Sequence, residues 1–160
     1  MIVVSACLAG LKVRYNGTDC LDKKIKNLVD TGKAIIVCPE VLGGLQTPRE
    51  PSEIIGGNGH DVLDGKAKVI ERSGKDVTEA FIKGAYITLE KVKNMQATKV
   101  VLKENSPSCG SSKIYNGEFK GVKISGDGVT SALLKRHNIP KTQYTSDFRR
   151  GFLNIISIIF

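Results

Sequence analysis

No Cys-x-x-Cys pair occurs among the four cysteines of this 160-residue chain, so the spacing that most plainly marks a zinc ribbon or a redox dithiol is missing. Tryptophan is absent and aromatic residues make up only 6%, and no aromatic-rich recognition motif of the kind used by RNA-binding modules is present. There is neither an internal repeat nor a low-complexity segment. The chain opens directly on a strand pattern, without a basic segment, long apolar run and small-residue cleavage site, so no signal peptide is expected. The apolar tail at 152–160 is far too short to cross a bilayer and reads as a helix docked on the body or at a subunit contact. Cytoplasmic location and no membrane partner are the expectation. Irregular cysteine spacing in a chain of this length also argues against a disulfide framework. Metal or thiol chemistry is the better use of these residues.

What is present is enough apolar sequence, 41%, for one good core, and the length argues for a single domain over 1–160. A formal charge of +8 favours anionic partners without choosing among nucleotide, nucleic acid and acidic lipid. Residues 2–6 are β-branched and apolar without alternation, as in a strand buried on both faces, and 34–38 and 99–103 read as further strands. Between the first two, Asp19 or Asp22 can cap a helix to about Thr31, with Ile25, Leu28 and Val29 on one face and Gly32 as its stop. Strand, helix and strand in that order imply a parallel crossover. Residues 39–65, punctuated by Gly and Pro, read as a long irregular insertion after the second strand. A short strand at 66–72 and a turn at Gly74 follow. A helix from about Val77 to Met95 has Phe81, Ala85, Leu89 and Val92 on one face. Asn116-Gly117 predicts a tight hairpin within 114–119. Asp127 is placed to cap a helix through Thr130 and Leu134, and a last strand includes 143–145. The fold class that follows is α/β, a mainly parallel sheet with flanking helices in a Rossmann-like three-layer arrangement.

Cys7, Cys38 and Cys109 each lie just past a buried strand and inside a loop. In a parallel sheet such positions converge on one edge. Thiolates are strong ligands for zinc and iron–sulfur clusters, and three protein ligands leave a position for substrate or water. Spacing alone leaves reactive thiols and plain packing open. Cys20 lies away from a strand end and is a weaker candidate for a fourth ligand.

These same segments carry a resemblance. Val4-Ser5-Ala6-Cys7-Leu8-Ala9-Gly10, Arg14-Tyr15-Asn16-Gly17, Val37-Cys38-Pro39-Glu40-Val41-Leu42-Gly43-Gly44, Thr47-Pro48-Arg49, Asp61-Val62-Leu63-Asp64-Gly65, Asp76-Val77-Thr78-Glu79-Ala80-Phe81, Ser106-Pro107-Ser108-Cys109-Gly110 and Gly126-Asp127-Gly128-Val129-Thr130 resemble, in order and over about residues 1–140, the family known as domain of unknown function 523. Some of its members are TudS-like thiouracil desulfidases. The resemblance implies a [4Fe-4S] cluster held by Cys7, Cys38 and Cys109 with one iron not ligated by protein. It also implies replacement of the thiocarbonyl sulfur of a thiolated pyrimidine by oxygen from water, with hydrosulfide as the other product and no net redox change. It makes Glu40 and Ser106 the candidates for proton transfer. Arg14, Arg49, Lys103, Ser108 and Asp127 become candidate substrate contacts. Of these, Arg14, Arg49 and the Gly126-Asp127-Gly128 turn suit a phosphate, and Lys103 with Glu104 reads as an ion pair beside the site. The implied partner is a small thiolated base or nucleotide, with transfer RNA a lesser alternative. Val13 stands where relatives often have a further cysteine, Cys20 has no counterpart, and the last twenty residues match nothing in the pattern. The competing reading is a zinc- or thiol-based nucleotide- or RNA-binding protein without desulfidase activity.

Overall fold

Two β-branched residues in a row, facing opposite ways, set the centre of the molecule. The computed structural model describes residues 1–139, and 141–144 as backbone. In it Ile2–Ser5 forms strand β1, with Val3 and Val4 both fully buried. Successive strand side chains point to opposite faces, so each belongs to a different core. Val3 packs with Val100 and Leu102 in the larger one, whereas Val4 packs with Val101, Ala34 and Ile25 in the smaller.

Helix α1 (Lys23–Asp30) covers the smaller core. Asp22 caps it by accepting hydrogen bonds from Lys24 and Ile25 N–H, which answers two of the orphan donors at a helix start. Strand β2 (Ala34–Val37) then pairs parallel with β1. Three short elements follow: helix α2 (Pro39–Leu42), strand β3 (Ser52–Ile55) and helix α3 (Gly59–Leu63). Strand β4 (Lys68–Glu71) pairs antiparallel with β3 in a separate two-stranded sheet. The insertion expected to be irregular is therefore built of elements of four or five residues, too short to leave a periodic trace in sequence.

Helix α4 (Thr78–Asn94) buries Phe81, Ala85, Leu89 and Val92, the face expected from their spacing. Strand β5 (Lys99–Lys103) pairs parallel with the other side of β1. Strands β6 (Lys113–Tyr115) and β7 (Lys123–Ser125) make a second antiparallel pair. Their connection is longer than the expected Asn-Gly turn, because Glu53 Oε2 accepts the Gly117 and Phe119 N–H groups at 2.8 and 3.1 Å and ties the loop to β3 instead. Helix α5 (Val129–Arg136) is capped by Gly128, without a side-chain cap. Asp127 is turned instead to His60 Nε2 at 3.0 Å and Lys135 Nζ at 3.1 Å. Strand β8 (Lys141–Tyr144) completes the parallel sheet, whose order is β2-β1-β5-β8. The tail at 152–160 lies outside the described residues. Among the described residues no helix is long and apolar enough to cross a membrane.

One contact fixes where the β2 end of the sheet meets α4. A Cβ on Gly43 would lie 2.0 Å from the Ala80 carbonyl oxygen, and one on Gly84 would lie 1.9 Å from that of Pro39. Only hydrogen fits at either position, so α2 rests directly on the α4 backbone.

Candidate active site

The chain runs outward from β1 to β2 and later returns to β5 on the opposite side of β1. Such a reversal opens a crevice at the carboxyl ends of parallel strands. Here it is a cavity of about 370 Å³ whose lining includes Cys7, Cys38 and Cys109. Cys7 sits in a single 3-10 turn, Ala6–Ala9, that leaves β1 and ends on Gly10 at φ 93°. Cys38 stands between β2 and α2 as the residue that begins that helix. Cys109 lies in the loop after β5.

Two of its own side chains, Ser106 and Glu104, brace the Cys109 loop. Ser106 Oγ accepts the N–H groups of Ser108 and Cys109 at 3.0 and 3.1 Å. Glu104 is buried, and its Oε1 accepts the N–H groups of Ser111, Ser112 and Lys113 at 3.0, 3.1 and 3.0 Å. The expected ion pair between Glu104 and Lys103 is not formed, because the carboxylate serves these backbone donors. Lys103 Nζ donates to the Glu104 carbonyl oxygen at 3.2 Å. Ser5 Oγ approaches the Cys109 sulfur at 4.0 Å while accepting the Lys103 N–H at 3.0 Å, which joins β1 to β5 at the ligand loop.

All four cysteines are free thiols. Burial pushes the Cys7 thiol up to about 12, with the neighbouring Cys20 and Cys38 adding to the shift. Burial also raises Cys38, partly offset by the Val41 N–H, and raises Cys109 well above the usual thiol range, with Cys38, Glu40 and Cys7 contributing. Thiols held this way stay protonated at neutral pH and are poor nucleophiles, contrary to what a reactive-thiol enzyme requires. Among the described residues no set of three or more His, Cys, Asp or Glu is gathered to hold a metal ion. Three soft sulfur donors around a shared cavity are the donor type that an iron–sulfur group takes.

Glu40 faces this cavity from the first turn of α2. Its Oε2 accepts from both Arg49 Nε, at 2.9 Å, and Arg49 Nη2. Arg49 is itself held by the Val13 and Gln46 carbonyls. Glu40 Oε1 accepts the Ser106 hydroxyl at 3.3 Å. Since both Ser106 lone-pair positions already receive backbone N–H groups, its proton is directed to Glu40.

Arg14, Arg49 and Lys103 line the cavity. Arg14 also donates to Thr18 Oγ1 at 3.0 Å. The other two candidate contacts lie elsewhere. Ser108 is fully buried against Thr130, 2.8 Å between hydroxyls, and Asp127 is engaged with His60 and Lys135. Neither belongs to the cavity wall. Sequence reasoning missed Ser5, Glu53, Arg72 and Phe119, which do line it. A single serine ending an apolar strand was a signal for the first. Glu53 gave none, since its partners lie 64 and 66 residues away.

The family model described as 2-thiouracil desulfurase matches residues 2–144. The protein YbbK of Bacillus subtilis (strain 168) is 59% identical over 136 residues, covering 85% of this chain and 90% of YbbK. The solved structure of the [4Fe-4S]-dependent thiouracil desulfidase TudS superposes with a TM-score of 0.82 at 40% identity, over 99% of this chain and 98% of that one.

Proposed function

The chain belongs to the 2-thiouracil desulfurase family, and from that membership we propose that it is an iron–sulfur-dependent desulfidase. It replaces the thiocarbonyl sulfur of a thiolated pyrimidine with oxygen from water and releases hydrosulfide, without net redox change. The observation that carries the reading is the meeting of Cys7, Cys38 and Cys109 with Glu40 and Ser106 on one cavity.

Cys7, Cys38 and Cys109 would hold a [4Fe-4S] cluster as thiolates, displacing their protons as it assembles. When bound with one iron free of protein ligands, that cluster supplies a soft Lewis acid for a thiocarbonyl sulfur. The chain's own residues do the rest. Arg49 binds Glu40 through a single oxygen, which fixes the carboxylate and leaves Oε1 as the basic atom toward the cavity. Glu40 takes a proton from the attacking water. Ser106 donates to the same Oε1 and so orients that base. Lys103 and Arg14 supply positive charge close to the Cys7 thiol, which favours its ligating thiolate form. The preferred substrate is a free thiolated base or nucleotide, and a reducing cytoplasmic setting suits four unpaired thiols.

The test is anaerobic reconstitution with iron and sulfide, followed by assay of hydrosulfide release from 2-thiouracil, 4-thiouracil and 4-thiouridine monophosphate. Release from at least one, with the matching oxo-pyrimidine as product, is expected. Release from none, by protein carrying its full cluster, would remove the catalytic reading.

A further inference from the structure

Cys20 is the one cysteine with no place in this scheme. It is half-buried and packs against the smaller core, in the group that includes Cys7, Leu8 and Ile25. Its backbone N–H donates to the Cys7 carbonyl oxygen at 2.9 Å. With standard backbone dimensions that bond holds the two Cα atoms no more than about 6.8 Å apart, whatever its angle. Disulfides span Cα separations of about 4.4–6.8 Å. A second backbone bond, from Asp22 N–H to the Leu8 carbonyl at 2.8 Å, runs beside the first and keeps the two segments in register.

We propose that Cys7 and Cys20 form a reversible disulfide when the chain meets an oxidant without its cluster, so that Cys20 is a protective partner for one ligand. The linkage itself rests on this geometry. Only its consequence, removal of Cys7 from the ligand set, rests on the function proposed above. With hydrogen peroxide as oxidant the steps balance. The more exposed Cys20 sulfur attacks one peroxide oxygen, the O–O bond breaks and hydroxide leaves, giving a sulfenic acid at Cys20. The Cys7 thiol, slow toward reagents in solution but tethered beside Cys20, then condenses with that sulfenic acid: the S–S bond forms, the S–O bond breaks, and the hydroxyl leaves with the Cys7 proton as water. The two sulfurs lose two electrons and two protons together, and the peroxide becomes two waters. Formation of the bond keeps Cys7 off the irreversible path to sulfinic acid. Thiol reduction restores the ligand.

The experiment begins with the full chain reconstituted anaerobically and treated with a small molar excess of hydrogen peroxide until its iron is released. Free thiols are then alkylated and the protein is digested for mass spectrometry without reductant. The expected result is a Cys7–Cys20 linked peptide as the main oxidised product, lost on treatment with dithiothreitol. The Cys20→Ser variant should take up the same iron as wild type before treatment. After peroxide, reduction and renewed iron and sulfide, it should recover several-fold less cluster absorbance than wild type does. If the variant binds no iron even before treatment, the mapping of wild type decides alone. Linkage of Cys7 to Cys38 or Cys109, or Cys7 sulfinic acid beside alkylated Cys20, would overturn the proposal. None of these readouts needs desulfidase turnover, so failure of the proposed activity is scored separately.

Discussion

Arg49 grips Glu40 through two nitrogens on one carboxylate oxygen, leaving the other oxygen 3.3 Å from the Ser106 hydroxyl. The base is thereby fixed in orientation by one partner and given its proton contact by another. Replacing Glu40 with glutamine keeps the shape and removes the basicity. The expected loss in kcat is about a hundred- to ten-thousand-fold, with iron content unchanged, measured by hydrosulfide release alongside iron assay. An equal loss of iron would instead make Glu40 structural.

Ser106 has two duties, and they separate on substitution. Ser106→Ala removes the acceptor for two backbone N–H groups of the Cys109 loop as well as the donor to Glu40. Buried N–H groups left without partners cost roughly 1–3 kcal/mol each at most. The variant should therefore melt earlier and turn over more slowly. Ser106→Thr, which retains the hydroxyl, should recover most of the stability if the side chain fits. Calorimetry and steady-state kinetics on the two variants give the comparison.

Gly84 links the core to the site. The added methyl of Gly84→Ala would strike the Pro39 carbonyl, and Pro39 lies between Cys38 and Glu40. Overpacking of this kind typically costs about 1–3 kcal/mol. Because α2 must move away from α4 to accept it, cluster retention should fall together with stability. A shift in melting temperature with fully preserved iron binding would show that α2 is not rigidly seated.

The raised thiols set a pH dependence for the metal-free protein. Cys7 holds its proton to about pH 12 in the fold, against an ordinary value of 9.0. Between those limits the unfolded chain binds fewer protons than the folded one, so stability falls as pH rises through that window. Below it, the thiolate fraction is small. Alkylation of Cys7, Cys38 and Cys109 at pH 8 should accordingly be far slower in the native metal-free chain than after denaturation, and should accelerate as pH climbs. Mass spectrometry of timed iodoacetamide reactions measures each site. Rapid native labelling of Cys7 at neutral pH would contradict the burial argument.

The parallel core was legible because buried strands and long amphipathic helices leave patterns that extend over several residues: 2–6, 34–38 and 100–102 are largely apolar runs, and α4 repeats its buried face from Phe81 to Val92. The thiol constellation was legible for the same reason, since each cysteine directly follows one of those runs or its loop. What escaped was set by single long-range polar bonds. Glu53 captures the Gly117 and Phe119 N–H groups and converts an expected two-residue turn into a longer connection. Glu104 abandons its lysine neighbour for three backbone donors across the ligand loop. Asp127 turns from the helix it precedes to His60, 67 residues earlier. Neither hydrophobic period nor local turn chemistry encodes such partners, because the same residue in sequence serves equally well as a cap, an ion pair or a loop staple.

The account rests most heavily on three sulfurs sharing one inorganic centre. Iron and acid-labile sulfide, counted per chain after anaerobic reconstitution of wild type, of Cys7→Ser, Cys38→Ser and Cys109→Ser singly, and of Cys20→Ser, test this directly. Wild type and Cys20→Ser should carry the same full complement with the same visible absorption, and each of the other three should lose most of it. Retention of the whole complement in any of those three, or in all but Cys20→Ser, would contradict it.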